Sequence, residues 1–142
     1  MTRQRNRQVN RSIRVVYDKE CPVCSAYCEL AKRYAEPGSL ELVDAREASE
    51  LMDDITSRGL DIDDGMVTEI NGELHYGAAG IRELALSSRR KNLFNRCSRL
   101  LFGNARVARV LYDALKALRR VLLNLLGVSP INNLEQPNKE RF

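Results

Sequence analysis

Two cysteines separated by two residues, Cys21 and Cys24, closely follow a short run with the composition of a β-strand. This run, Ile13–Tyr17, is rich in β-branched residues, as expected of a central parallel strand. A helix is expected to begin at Pro22. The N–H of the first helical residue has no acceptor within the helix, so proline, which has no N–H, loses no hydrogen bond at this position. The sequence therefore predicts a strand that delivers a Cys-x-x-Cys pair to the N-terminus of a helix.

This placement predicts different roles for the two thiols. Cys21 falls at the N-cap, where unpaired backbone N–H groups and the positive end of the helix dipole favour a thiolate. Thiols in such positions have pKa values lowered from about 8.5 to roughly 3.5–7.5. We therefore expect Cys21 to be the nucleophile and Cys24 to be the resolving thiol that attacks a mixed disulfide.

Asp18, three residues before Cys21, has two interpretations that the sequence leaves open. It is a catalytic residue if its carboxylate accepts a proton from Cys24, directly or through a water. It is structural if that carboxylate accepts N–H groups of the loop or the helix start. Lys19 would favour the thiolate and Glu20 would oppose it, and we expect the helix terminus to dominate because exposed charges are screened.

The run Tyr17-Asp18-x-x-Cys21-Pro22-x-Cys24 resembles the Asp-x-x-Cys-x-x-Cys signature of the DCC family of thiol-disulfide oxidoreductases, also catalogued as DUF393. Members commonly have glycine directly after the aspartate, where this chain has Lys19. The resemblance covers residues 13–126 and implies a thioredoxin-like fold of the glutaredoxin kind. It also implies a disulfide-containing protein or a small thiol as substrate, glutathione or a thioredoxin-type dithiol as reductant, and no bound cofactor or metal.

The segments after the cysteines predict an α/β fold of order β-α-β-α-β-β-α, with an added C-terminal helical extension. A second helix is expected over Ala45–Arg58, capped by Asp44 and with Glu47 in a capping-box position. Asn71-Gly72, between two alternating runs, indicates a β-hairpin, because both turn residues must take positive φ.

Thioredoxins and glutaredoxins place a cis-proline before the third strand, facing the cysteines, and this chain has Asp64-Gly65-Met66 there. The resemblance implies that a substrate main chain or glutathione pairs with the backbone from Gly65 to Val67, next to Pro22. The predicted substrate-binding residues are therefore Pro22, Gly65, Met66 and Val67.

Charge is divided unevenly along the chain. Residues 1–14 hold five arginines and no acid, residues 15–85 hold sixteen acidic and six basic residues, and residues 86–142 hold three acidic and twelve basic ones. The N-terminal residues lack the apolar stretch of a secretory signal, so we expect a cytoplasmic protein. The predicted divisions are a disordered basic arm (1–11), a thioredoxin-like domain (12–88), a basic amphipathic helical extension packing on it (89–128) and a polar tail (129–142).

The extension contains a long amphipathic helix, predicted from about Ala105 to Leu126. Its packed face is predicted to carry Val107, Leu111, Ala114, Leu115, Leu118, Leu122 and Leu125, with Arg106, Arg109, Lys116, Arg119 and Arg120 off it. We expect this face to pack on the domain or on a second copy in a homodimer. Peripheral contact with an anionic membrane is the alternative, and no nucleic acid is expected.

Other uses of the cysteines stay open at this point. Cys28 lies one turn after Cys24 and is expected to be a small buried apolar residue. A structural zinc site would need Cys97 or His75 as a fourth ligand, and a redox-inert binding module is a further alternative. Dithiol chemistry is the favoured interpretation because only one Cys-x-x-Cys pair is present.

Overall fold

A mixed four-stranded sheet with helices on both faces forms the body of the computed structural model, which describes residues 12–87 and 93–139. Its elements are β1 (Ile13–Tyr17), α1 (Pro22–Tyr34), β2 (Leu40–Asp44), α2 (Glu50–Ser57), β3 (Val67–Ile70), β4 (Glu73–Tyr76), α3 (Ala78–Ser87), α4 (Leu93–Phe102) and α5 (Ala105–Leu126). The strands lie in the order β2-β1-β3-β4, with β1 and β2 parallel and β3 antiparallel to β1 and β4. The predicted thioredoxin-like α/β fold with a C-terminal helical extension is confirmed. The predicted arm over 1–11 lies outside the described residues.

The central strand β1 is buried on both faces. Val16 packs in the apolar cluster that contains Ile55 of α2, whereas Val15 packs in the opposite cluster with Cys28 of α1 and Leu84 of α3. This alternation follows from the two-residue period of a strand. The C-terminal end of β1 therefore brings the cysteine loop to the middle of the sheet.

The predicted hairpin is present between β3 and β4. Asn71 has φ 52° and Gly72 has φ 88°, the positive angles that this two-residue turn requires. The hairpin adds β4 to the sheet, and Met66, just before β3, approaches the cysteine loop as part of the same cavity wall.

Helix α2 begins five residues later than predicted. Ser49, not Asp44, is its N-cap, and the Ser49 side chain accepts the N–H of Met52. The chain stays extended through Asp44 because the N–H of Ala45 donates to the Tyr17 carbonyl at 2.9 Å, which continues the pairing with β1. The predicted cap was wrong because it was based on local sequence, whereas the pairing of Ala45 with β1 joins residues that are distant in the chain.

The packed face of α5 also differs from the prediction. The helix buries Ala108, Arg119 and Leu123. Val107, Leu118 and Leu125, predicted to be packed, are 42%, 49% and 79% exposed. The packed face is turned toward Arg119 because that side chain binds the Asp18 carboxylate and the backbone carbonyl of Asp63 beneath the helix. In the described part of the chain, no helix is long and apolar enough to cross a membrane.

The segment after α5 is bound to the loop between α2 and β3. The Asp63 carboxylate accepts the N–H groups of Ile131 at 2.9 Å and Asn132 at 2.7 Å. Lys139 Nζ lies 2.6 Å from Asp61 Oδ2 and 3.1 Å from Asp63 Oδ2. These contacts hold the C-terminal segment against the loop between α2 and β3, in which Asp63 is only 2% exposed.

Candidate active site

Cys21 is the N-cap of α1, as predicted from the sequence. Its backbone is extended, with φ −80° and ψ 113°, and its Sγ accepts the N–H of Cys24 at 3.3 Å. Pro22 is the first helical residue and is exposed beside the pair. The Cys21 N–H donates to the Asp18 carbonyl at 3.1 Å, and this bond turns the chain from β1 into the helix.

The two sulfur atoms lie 2.9 Å apart, and both cysteines are free thiols. A hydrogen bond joins the two sulfur atoms, and it is the largest cause of a Cys21 pKa lowered to about 6, because a Cys21 thiolate accepts the S–H of Cys24. Burial opposes that lowering, while the Cys24 N–H and the guanidinium of Arg119 add to it. The same thiol hydrogen bond, together with burial, raises the pKa of Cys24. At neutral pH the geometry therefore favours a Cys21 thiolate beside a protonated Cys24.

The cysteines differ in their access to solvent. Cys21 has no exposed surface, whereas Cys24 is half-buried. Cys24 also lines a cavity of about 180 Å³ to which Cys21 does not contribute. In this conformation an incoming group reaches Cys24 before Cys21.

Arg119 of α5 is the cation at the Cys21 sulfur. It hydrogen-bonds that sulfur, its Nη2 lies 3.0 Å from Asp18 Oδ2, and its Nη1 donates to the Asp63 carbonyl. The side chain is 9% exposed, so water screens its charge weakly. The sequence reasoning missed this role by placing Arg119 off the packed face. One signal was available, because Arg119 lies one turn after Leu115 and four residues before Leu123 on the same helix face.

Asp18 is bound by two guanidinium groups and by the loop. Arg46 donates from Nε to Oδ1 at 2.8 Å and from Nη2 to Oδ2 at 3.0 Å, and Arg119 shares Oδ2. The N–H of Glu20 donates to Oδ1 at 3.0 Å. The bond from Glu20 is the loop contact that the structural interpretation of Asp18 predicts. A role of Asp18 in proton transfer stays a prediction. Lys19 is exposed.

The predicted substrate-binding backbone has partners within the chain. The N–H of Gly65 donates to the Asp61 carbonyl, and the N–H of Met66 donates to the Tyr112 hydroxyl at 2.8 Å. The Met66 carbonyl accepts the N–H of Gly77 at 2.8 Å, and Val67 lies within the sheet between β1 and β4. The N–H groups of Gly65 and Met66 and the Met66 carbonyl are thus already paired within the chain, and substrate binding by this backbone stays a prediction. Gly65 and Met66 do lie in the wall of the cavity at Cys24.

The remaining two thiols differ in their environment. Cys28 is 1% exposed in an apolar cluster, and burial is the main cause that raises its pKa to about 12. Cys97 is exposed on α4. Among residues 12–87 and 93–139, no group of three or more His, Cys, Asp or Glu side chains has the arrangement of a metal site. There is no cis peptide bond in this part of the chain.

A thioredoxin-like sheet that presents a Cys-x-x-Cys pair at the N-terminus of α1 defines the class of thiol-disulfide exchange proteins. A family model of DCC1-like thiol-disulfide oxidoreductases matches residues 15–125. The match spans most of the chain, which therefore belongs to this family. Neither a curated protein nor a solved structure matches the chain significantly.

Proposed function

We propose that this oxidoreductase acts through the Cys-Pro-Val-Cys dithiol, with Cys21 as nucleophile and Cys24 as resolving thiol. The observation that carries the proposal is the set of donors around the Cys21 sulfur. The Cys24 S–H, the Cys24 N–H and Arg119 all stabilise negative charge on that atom. A thiolate is the nucleophilic form of cysteine, and a lowered pKa makes it available at neutral pH.

The exchange proceeds in two steps. The Cys21 thiolate attacks one sulfur of a substrate disulfide, the S–S bond breaks, and the first thiol leaves with a proton from solvent. Cys24 then loses its proton and attacks the mixed disulfide at the Cys21 sulfur, which releases the second thiol and leaves a Cys21–Cys24 disulfide. Two electrons pass to the substrate. Glutathione or a thioredoxin-type dithiol restores the reduced pair in the cytoplasm, and no bound cofactor takes part.

Access to Cys21 requires a local rearrangement. Because Cys21 is fully enclosed and Cys24 lines the cavity, the side chains around Cys21 must move before a substrate sulfur meets it. We propose that Asp18 acts by holding Arg119 at the Cys21 sulfur, since its carboxylate already accepts three sets of donors. In the alternative role, Asp18 accepts the proton of Cys24. The kinetics of Asp18→Asn distinguish the two roles.

The test uses single cysteine variants in an insulin-reduction assay. Cys21→Ser abolishes turnover, and Cys24→Ser accumulates a mixed disulfide on Cys21, which peptide mass spectrometry locates. The matched control is Cys97→Ser, which changes an exposed thiol on α4 and keeps full activity. Full activity in both Cys21→Ser and Cys24→Ser contradicts the proposed dithiol, and a mixed disulfide that forms only on Cys24 in Cys21→Ser reverses the order of attack.

The helical extension supports a second proposal, contact with another surface. Among the described residues, nine of the eleven large apolar side chains that are exposed lie on α4 and α5. Exposed apolar surface of this extent marks interaction sites. We propose that this surface forms a homodimer or contacts an anionic membrane peripherally. Sedimentation equilibrium and flotation with phosphatidylserine vesicles distinguish the two, with Val110→Ser as the disrupting variant because Val110 is 70% exposed.

A further inference from the structure

The cavity at Cys24 is a partly open space of about 180 Å³ with a largely apolar wall. Its apolar lining comes from four elements of the fold and from the segment before β3. The side chains concerned include Val23, Tyr27, Met66, Ile81 and Leu115. A dry cavity of about 150 Å³ is known to accommodate a benzene molecule, so this one has room for a group the size of one aromatic ring.

The charged groups in the cavity wall balance one another. They are Asp18, Asp64, Lys116 and Arg119, two acids and two bases. Asp18 is bound by Arg119 at 3.0 Å, and Asp64 is bound by Arg120 at 2.5 Å. An uncharged group therefore needs no charged partner when it enters, whereas a carboxylate would lose water in a largely apolar space.

Tyr112 bears on a second mode of binding, in which an extended polypeptide would pair with the backbone at Met66. Its hydroxyl accepts the N–H of Met66 at 2.8 Å, and the Met66 carbonyl is taken by Gly77. An extended polypeptide therefore finds no free main-chain group at Met66, where strand addition would otherwise supply affinity. The apolar cavity is therefore the feature at Cys24 that is open to a substrate group.

We infer that the substrate of the exchange reaction carries an uncharged apolar group, about the size of one aromatic ring, which fills the cavity beside Cys24 while its sulfur reacts with the dithiol. This inference rests on the proposed function. For a substrate R–S–S–R, the S–S bond breaks, two R–SH molecules leave with two electrons and two protons, and a Cys21–Cys24 disulfide forms. Dithiothreitol supplies the two electrons and two protons that restore the dithiol in the assay.

The test compares two uncharged disulfides, dipyridyl disulfide with an aromatic ring on each sulfur and bis-hydroxyethyl disulfide without one. Leu115→Phe narrows the cavity and lowers kcat/KM for dipyridyl disulfide about tenfold, which corresponds to about 1.4 kcal/mol. The same variant lowers kcat/KM for bis-hydroxyethyl disulfide by a clearly smaller factor, because that substrate has no ring to place in the cavity. Leu118→Phe, the same change at a 49% exposed position on α5, is the matched control and alters neither value.

A second measurement needs no variant and so does not depend on the folding of Leu115→Phe. Benzyl methyl sulfide, an apolar thioether that cannot exchange, inhibits the turnover of both disulfides competitively. Equal effects of Leu115→Phe on both substrates, together with no inhibition by the thioether, overturn the inference while the exchange activity stands. No turnover of either disulfide by the unmodified protein overturns the proposed function itself.

Discussion

Arg119 Nη2 lies 3.0 Å from Asp18 Oδ2, although the two residues are 101 positions apart in the chain. Asp18 directly follows the central strand, and Arg119 lies in the helix that ends the extension. The pair attaches α5 to the cysteine loop and places a guanidinium at the Cys21 sulfur. The extension is thus part of the site, in agreement with a family match that reaches residue 125.

Removing the charge of Arg119 raises the pKa of Cys21. In Arg119→Gln the thiolate loses a weakly screened cation, and we expect its titration midpoint to rise from about 6 by about one pH unit. Thiolate absorbance of the reduced protein against pH measures this midpoint without requiring access to the sulfur. Arg120→Gln removes the same charge from the neighbouring, half-exposed position and leaves the midpoint unchanged. An unchanged midpoint in Arg119→Gln contradicts the role of this side chain.

Asp18→Asn leaves two guanidinium groups without their shared carboxylate. Breaking a buried ion pair in this way costs about 3–5 kcal/mol in the free energy of unfolding. Asp54→Asn, which breaks the exposed pair with Arg58, costs about 0.5 kcal/mol or less. Urea unfolding of both variants measures the difference, and equal losses contradict a structural role for Asp18.

Kinetics of the same Asp18 variant separate its two interpretations. If Asp18 only holds Arg119, Asp18→Asn releases the guanidinium from the Cys21 sulfur, so the pH dependence of turnover that the Cys21 thiolate sets moves to higher pH, as in Arg119→Gln, while the resolving step keeps its rate. If Asp18 accepts the proton of Cys24, the resolving step slows and mixed disulfide accumulates during turnover. Quenched-flow mass spectrometry of the enzyme detects that intermediate.

The elements of the fold were predictable because they depend on local patterns. The β-branched run of β1, the proline at the start of α1 and the Asn71-Gly72 turn each specify local backbone geometry. The start of α2 was not predictable in this way. Asp44 is a good N-cap residue, but pairing of Ala45 with Tyr17 across the sheet keeps the chain extended there.

The site was predictable only where it is local in sequence. The position of Cys21 at the helix N-cap follows from its neighbours along the chain. The contributions of Arg119 and Tyr112 do not, because they depend on how α5 rotates as it packs on α3 and α4. The hydrophobic periodicity of a helix predicts that an arginine faces solvent. Arg119 is buried instead because it faces Asp18, a buried acid whose position relative to α5 cannot be read from the sequence.

The fit of α3 against the hairpin depends on Gly80. A Cβ at this position would lie 2.7 Å from the backbone carbonyl oxygen of His75 and 3.3 Å from Thr68 Oγ1. Backbone cannot move aside as a flexible side chain can, so we expect Gly80→Ala to lose about 1–3 kcal/mol of stability. Thermal unfolding measures the loss, and a variant as stable as the original protein contradicts this packing.

The lowered pKa of Cys21 makes the stability of the reduced protein depend on pH. The thiol titrates at about 6 in the folded chain and about 8.5 in the unfolded chain, so between these values the unfolded state binds the extra proton. Stability from this group is fully present above pH 8.5 and is lost as pH falls through 6, with a slope of up to about 1.4 kcal/mol per pH unit. Urea unfolding of the reduced protein from pH 6 to 8 measures this slope. Cys21→Ser removes it and Cys97→Ser retains it, whereas equal slopes in both variants would show that Cys21 is not a thiolate in the folded protein.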